Sequence, residues 1–318
     1  MRRTLPTDVL VEDVAISPDG SRLVVGNRGS ALLHFDLSRE APPERLPAHE
    51  NGVWRVEWSP DGKTFASSGP NAFVYIFDAA TRTITRQVRA PGGVQSLAYS
   101  PDGARLATGG QNGAVRLWDA SGALLGEFLR HAEQVNALAF TADGARLVSC
   151  GSDGLVVVWD IAAASPQYVL DCGDPVTRLA IRPDGKQLAA AVFYAIRAWS
   201  LETGEQAAAR IGHRHPIVGL AYTPDGRLLL SSDRSGTIKE WDAHASSPEL
   251  TLAGHTDLPR CVAVSPDRTL VASGGRDRTV RVWDLAARQE RFQLREHAET
   301  IANAAFMPQG RELLSASA

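Results

Sequence analysis

Three residues in the middle of the chain, His131, Ser149 and Asp153, offer the residue types of a hydrolase triad, in which an imidazole takes a proton from a hydroxyl nucleophile and a carboxylate orients the ring. The same set returns as His255, Ser273 and Asp277, again 18 and 22 residues after the histidine. An active site needs one such constellation, so the duplication argues for a structural role. His213-Arg214-His215 offers two imidazoles to a metal, but no acid or cysteine cluster accompanies them. The recurring Asp-Gly pairs lack the alternating oxygen ligands of a calcium loop and read as turns. Neither GxxxxGK[ST] nor GxGxxG after a strand is present. No catalytic residue, cofactor or metal ligand is assigned from the sequence.

The elements that must position these residues repeat. Ser17-Pro18-Asp19-Gly20 recurs as Ser59-Pro60-Asp61-Gly62, Ser100-Pro101-Asp102-Gly103, Thr141-Ala142-Asp143-Gly144, Arg182-Pro183-Asp184-Gly185, Thr223-Pro224-Asp225-Gly226 and Ser265-Pro266-Asp267-Arg268, with a degenerate copy at Met307-Pro308-Gln309-Gly310. Consecutive copies lie 41 or 42 residues apart. A period of that length marks a repeat architecture and overrides the two ordinary domains that 318 residues would otherwise suggest.

The fourth unit shows what each copy encodes. Val135, Ala137 and Ala139 alternate with Asn136, Leu138 and Phe140, a period of two with both faces largely apolar, which predicts a strand buried on both sides. Asp143-Gly144 reverses the chain. Arg146–Cys150 reads as a second strand, Gly151–Gly154 as a turn, Leu155–Asp160 as a third strand and the region near Gln167 to Leu170 as a more polar fourth. Four antiparallel strands make a sheet too thin to bury both of its faces alone, and stacking copies around an axis solves that problem. The expected fold is therefore all-β, a propeller of four-stranded antiparallel blades.

The third strands end Trp118-Asp119, Trp159-Asp160, Trp241-Asp242 and Trp283-Asp284, with Phe35-Asp36, Phe77-Asp78 and Trp199-Ser200 as variants, and this resembles the WD-repeat β-propeller family over essentially the whole chain. The resemblance implies a buried tetrad of His, Ser or Thr, Asp and Trp: His131, Ser149, Asp153 and Trp159 in the fourth unit, His255, Ser273, Asp277 and Trp283 in the seventh. A 28-residue interval joins His to aromatic in both, and also His213 to Trp241 and His49 to Phe77, which claims His213 for structure. The sixth unit has Ser235 where the Asp is expected, the second has Asn71 and Phe77, and the third keeps Thr108, Asn112 and Trp118 without a His. The first and fifth units, with Val25, Gly29 and Phe35 and with Ala189, Phe193 and Trp199, have largely lost the set and are expected to hold by apolar packing.

Counting units gives one domain over 1–318, with seven complete repeats from about 8 to 296 and a partial eighth over 297–318. Eight blades with an incomplete last one are favoured, and a seven-bladed ring with the last hairpin displaced is the alternative. Leu5-Pro6 lies 41 residues before Leu46-Pro47, so Arg2–Leu5 reads as the fourth strand of the last blade, whose third strand is missing. A chain cut from a longer protein, a last blade closed with three strands, and an open edge that takes a partner's strand or drives dimerisation all remain open.

Function follows from surface and charge. The 33 basic and 36 acidic residues are spread along the chain, with a net charge of −3, so neither nucleic acid nor an anionic membrane surface is an expected partner. The basic start has no apolar stretch behind it, no run reaches the ~18 apolar residues of a membrane span, and Cys150, Cys172 and Cys261 lack CxxC spacing, so a cytoplasmic protein with reduced thiols is expected. Only Lys63, Lys186 and Lys239 are lysines, an arginine bias that fits a GC-rich bacterial genome.

The resemblance implies a non-enzymatic scaffold for a protein or peptide, as the docking or sensor part of a larger bacterial signalling protein. The alternative is a propeller enzyme with a site in the axial channel. Against it, the first strands are mostly apolar, with Glu12, Asp13 and Glu57 as exceptions. Family contact positions, at the start of first strands and before the tetrad Asp, fall here on Trp54, Gln95, Asn136 and Arg260 and on Arg28, Arg234 and Arg276. Trp54 stands out because the matching sites are mostly polar; it is expected either to anchor an acidic partner segment or to pack on a neighbouring blade. Phe193-Tyr194 either fills the space its tetrad vacated or forms an apolar patch.

Overall fold

The computed structural model describes residues 11–317 apart from 30, 40, 208, 236, 244–247, 253, 268, 308 and 311. Within them lie seven four-stranded antiparallel sheets and one two-stranded sheet, each with its strands in chain order from the axis outward. The first strands of consecutive sheets run side by side around the axis, and the first strand of the eighth sheet sits between those of the seventh and the first. The fold is thus a β-propeller, with an incomplete eighth sheet taking its own place in the ring. The strand expected at Arg2–Leu5 lies outside the described residues.

The fourth blade illustrates the build, with strands Val135–Phe140, Arg146–Gly151, Leu155–Asp160 and Ser165–Asp171. Its second and third strands are almost wholly buried, because each sheet face meets a neighbouring blade. Valines 148, 156 and 158 join Leu188, Ala190 and Trp199 of the fifth blade in one apolar cluster. The first strand departs from the expected two-sided burial: only Val135 is buried and the rest are half-buried. It has no strand on its axial side, so its backbone and side chains border the channel instead.

The Ser/Thr-x-Asp-Gly turn is built by hydrogen bonds within the motif. Ser17 Oγ donates to Asp19 Oδ1 at 2.6 Å and accepts from the Arg22 N–H at 2.9 Å, while Gly20 takes a φ of 74°. The same pattern holds at Ser59, Ser100, Thr141, Thr223 and Ser265. In the fifth unit Arg182 replaces the hydroxyl and binds Asp184 through its guanidinium. These contacts hold the turn carboxylates below their ordinary range, to about 2 for Asp19 through Ser17 and the Ser21 N–H, and to about 2 for Asp184 through Arg182.

Closure relies on the eighth sheet, Ile301–Phe306 paired with Leu313–Ser317. On one side Ile301 and Ala304 pack with Cys261 and Val280 of the seventh blade, and Gly274 is required there, since a Cβ would come within 2.3 Å of Ile301 Cγ2. On the other side Leu314 and Ala316 pack against the core of the first blade. Asn303 Nδ2 donates to Asp13 Oδ1 at 3.2 Å and Gln309 Nε2 to the Asp19 carbonyl at 3.3 Å, tying the last blade to the first.

Because the turn carboxylates titrate lower in the fold than in the unfolded chain, the stability they add is complete above the unfolded value near 4 and is lost as pH falls toward 2. Chemical denaturation between pH 5 and pH 2 should show cumulative destabilisation, and Asp102→Asn together with Asp143→Asn should flatten that slope. An unchanged slope in the double variant contradicts this account.

Candidate functional site

The triad-like residues come together as a buried relay. In the fourth blade His131 Nδ1 lies 3.0 Å from Asp153 and Nε2 lies 2.8 Å from Ser149 Oγ, which also accepts the Trp159 indole N–H at 2.8 Å. With Nδ1–H donating to the carboxylate, Nε2 accepts the serine hydroxyl. The seventh blade repeats this with His255, Asp277, Ser273 and Trp283, at 2.9 to 3.0 Å to the carboxylate, 2.8 Å to the hydroxyl and 3.0 Å for the indole. Burial, against the opposing pull of Asp277, lowers the His255 pKa, so this pair is a neutral imidazole donating to a carboxylate. Ser149 and Ser273 are inaccessible to water, and the Asp153 and Asp277 carboxylates also accept the Ala132 and Thr256 N–H groups. The relay ties the loop before the first strand to the second and third strands; no substrate reaches the hydroxyl.

The sixth blade differs from the spacing-based expectation at Ser235. Asp233, at the end of the strand Leu228–Asp233, supplies the carboxylate at 2.7 Å from His213 Nδ1, and Ser235 donates to Asp233 instead. Moving the carboxylate two residues earlier is compatible with the relay because the serine caps its second oxygen. In the second blade Asn71 accepts from His49 at 2.6 Å, Ser67 lies 2.9 Å from the other ring nitrogen, and Tyr75 stacks on the imidazole at 4.4 Å. The third keeps only the Trp118 to Thr108 bond, at 3.1 Å. In the eighth, His297 Nε2 lies 2.7 Å from Ser315 Oγ, half of a relay.

The fifth blade shows what replaces a lost tetrad. Its second and third strands zip one pair further than in the fourth blade, through Val192↔Ala195, leaving Phe193-Tyr194 as a two-residue turn with Phe193 at a φ of 51°. The two rings, 4.1 Å apart, are each 42% exposed. They form an apolar patch and do not fill the blade.

The contact positions meet on one face, since the turns between second and third strands bond to the segments that enter the first strands: Arg234 N–H to the Pro216 carbonyl at 3.0 Å, Arg276 N–H to that of Leu258 at 2.6 Å, and Ile217 N–H to that of Phe193 at 2.8 Å. Arg234, Arg260 and Arg276 are exposed there and make no ion pair among the described residues. Arg28 is different, because Glu12 pairs with it within the first blade. Asn136 bridges blades, donating to Ser152 at 3.1 Å and to the Val176 carbonyl at 2.9 Å. Gln95 is half-buried, as is Trp54, whose ring lies over Gly93 of the third blade.

Sequence reasoning missed two residues. Arg55 opens the first strand of the second blade and Arg178 is third in that of the fifth, among neighbours that are small or apolar, and a lone arginine in an apolar run carries no motif. Glu57, already noted as an exception, accepts the Tyr99 N–H at 3.1 Å, and burial raises its pKa to about 8.

Family models agree with this geometry. The WD domain, G-beta repeat, matches residues 41–78, 82–119, 122–160, 204–242 and 246–284, more than half of the chain. The chain belongs to the WD-repeat family. Among similar proteins, the 66 kDa stress protein of Physarum polycephalum is 34% identical over 73 residues, WD repeat-containing protein 1-B of Xenopus laevis 34% over 76, and the human intraflagellar transport protein 122 homolog 33% over 76. These alignments take in 22 to 24% of this chain and 12%, 12% and 6% of those proteins, so the likeness is one of repeats.

Removing the shared hydroxyl of the relay leaves a buried indole N–H and an imidazole nitrogen without a partner. Ser149→Ala should cost about 1–3 kcal/mol in denaturant unfolding, with Val148→Ala as a packing control. A loss below about 0.5 kcal/mol would remove the relay from the list of what holds the blade.

Proposed function

We propose that the protein is a cytoplasmic, non-enzymatic scaffold whose face over the fifth to seventh blades captures a protein segment combining an apolar anchor with acidic residues. One observation carries this reading: the exposed pair Phe193-Tyr194 shares an arc of three consecutive blades with the unpaired guanidiniums of Arg234, Arg260 and Arg276. Aromatic and arginine side chains are the types that dominate interface energetics, and guanidinium forks match carboxylates. Family membership supports interaction as the general role. Three free buried cysteines fit a reducing compartment; burial pushes the thiols up, to about 12 for Cys261 and about 11 for Cys172, which disfavours them as nucleophiles. Docking within a larger bacterial signalling protein extends the same reading.

Peptides selected from a random display library against the whole chain should be enriched in Asp and Glu around an aromatic or aliphatic residue. Phe193→Ala and the pair Arg234→Ala, Arg276→Ala should each weaken a selected peptide at least about tenfold, with affinity falling as salt rises, while Trp54→Ala should leave folding intact and change affinity less. Selection of neutral peptides, or indifference to the arginine pair, overturns the reading.

A second reading concerns assembly. Leu313–Ser317 has no strand on its outer side among the described residues, and the His297–Ser315 pair reproduces the histidine–serine half of the relay found in the other blades. The edge suits a strand ending in Trp-Asp. A peptide copying Asp277–Asp284 should slow amide exchange across Leu313–Ser317, and its Trp→Ala form should not. Equal effects of both peptides would reject the reading.

A further inference from the structure

The axial channel gathers charge that the tetrads and the rim do not use. Asp13 and Arg178 stand at the third position of the first strands of the first and fifth blades, Arg55 opens the first strand of the second, and Arg260 is the second residue of that of the seventh, nearer the mouth. Asp13 is held by the Val56 N–H at 3.1 Å and by Asn303 at 3.2 Å, so its position belongs to the closure of the ring. Arg55 and Arg178 are each pinned by one bond to the preceding carbonyl, Nη1 to Trp54 at 2.9 Å and Nη1 to Thr177 at 2.8 Å. Their remaining N–H groups have no acceptor among the described residues.

These side chains converge across the axis. Arg178 is within electrostatic range of Arg55, Asp13 and Arg260, and burial together with the two like charges makes its cation less favourable. Burial raises the Asp13 pKa, and the charge of Arg55 opposes that rise only in part. Glu57, two residues beyond Arg55, is pushed up to about 8 by burial, and its carboxyl is already held by the Tyr99 N–H. Three guanidiniums therefore share the channel and its mouth with two buried carboxyls, Asp13 and Glu57, that already accept bonds from the fold. Confined cations without a partner are costly, and an anion that accepts from both forks relieves the cost.

We propose that the channel is an anion seat, in which a phosphate or carboxylate group bridges the guanidiniums of Arg55 and Arg178, with Arg260 guiding it through the mouth. The group comes either as a free small anion or as the acidic end of a bound segment; both use the same seat. Arg260, at the mouth, is shared with the rim arc, but the bridging pair Arg55 and Arg178 is not, and neither Phe193, Arg234 nor Arg276 lines the seat.

The test uses the whole chain at neutral pH and low salt, with inorganic phosphate, pyrophosphate, citrate and a hexaglutamate peptide as probes in calorimetric titration. Pyrophosphate or citrate should bind, and Arg55→Gln and Arg178→Gln should each weaken binding about ten- to hundredfold, whereas Arg234→Ala should leave it unchanged. Binding of hexaglutamate alone, lost in the same variants, assigns the seat to a partner's acidic segment; binding of the small anions assigns it to a free ligand. Without any variant, pyrophosphate or hexaglutamate should protect Arg55 and Arg178 from phenylglyoxal, mapped by mass spectrometry, while the outer-surface Arg86 reacts unhindered. The proposal falls if none of the probes binds, if binding survives both glutamine variants, or if protection maps away from Arg55 and Arg178. Failure here with the rim peptides still bound leaves the scaffold reading standing, and the reverse result separates the two in the other direction.

Discussion

A four-stranded sheet with apolar residues on both faces cannot stand alone in water, and the rest of this molecule follows from that constraint. Each blade hides its faces against the blades beside it, as Val156 and Val158 do against Leu188 and Trp199. The requirement has no natural stopping point until the last blade meets the first. Hence the eighth sheet, though only two strands wide, carries contacts on both sides: Ile301 against the seventh blade, Leu314 and Ala316 against the first. Its inner strands meet the closure condition even where its outer part has no partner strand among the described residues.

The hydrogen-bonded relays sit on top of this packing and do not create it. Blades with a full relay and blades without one adopt the same four-strand order. In the fourth blade the Asp153 carboxylate bonds His131 and the Ala132 N–H; in the fifth, where the set is gone, the hairpin pairs one step further and Phe193 and Tyr194 are exposed. In the fifth blade the loss of internal polar structure and the gain of exposed aromatic surface occur together.

Electrostatics divides the molecule similarly. Turn carboxylates are saturated by their own hydroxyls and N–H groups and serve structure. Among the described residues, Arg234, Arg260 and Arg276 at the rim have no carboxylate partner, and within the channel Asp13 is committed to ring closure while Arg55 and Arg178 keep donors without an acceptor.

Much of this was legible from the chain alone. The 41- or 42-residue period, the Ser-Pro-Asp-Gly turns and the 18-, 22- and 28-residue intervals lie within single units, where a spacing translates directly into a strand, a turn or a hydrogen bond. Other features were decided only by the tertiary structure. Asp233 rather than Ser235 reaches His213 because a relay asks for an oxygen in a place, and two backbone positions can deliver one. The exposure of Phe193 and Tyr194 depends on how far a hairpin pairs. The meeting of Arg55 with Arg178, 123 residues away, depends on the number of blades and the curvature they impose. Local spacing determines a repeating unit; what units place opposite one another is a property of the closed ring.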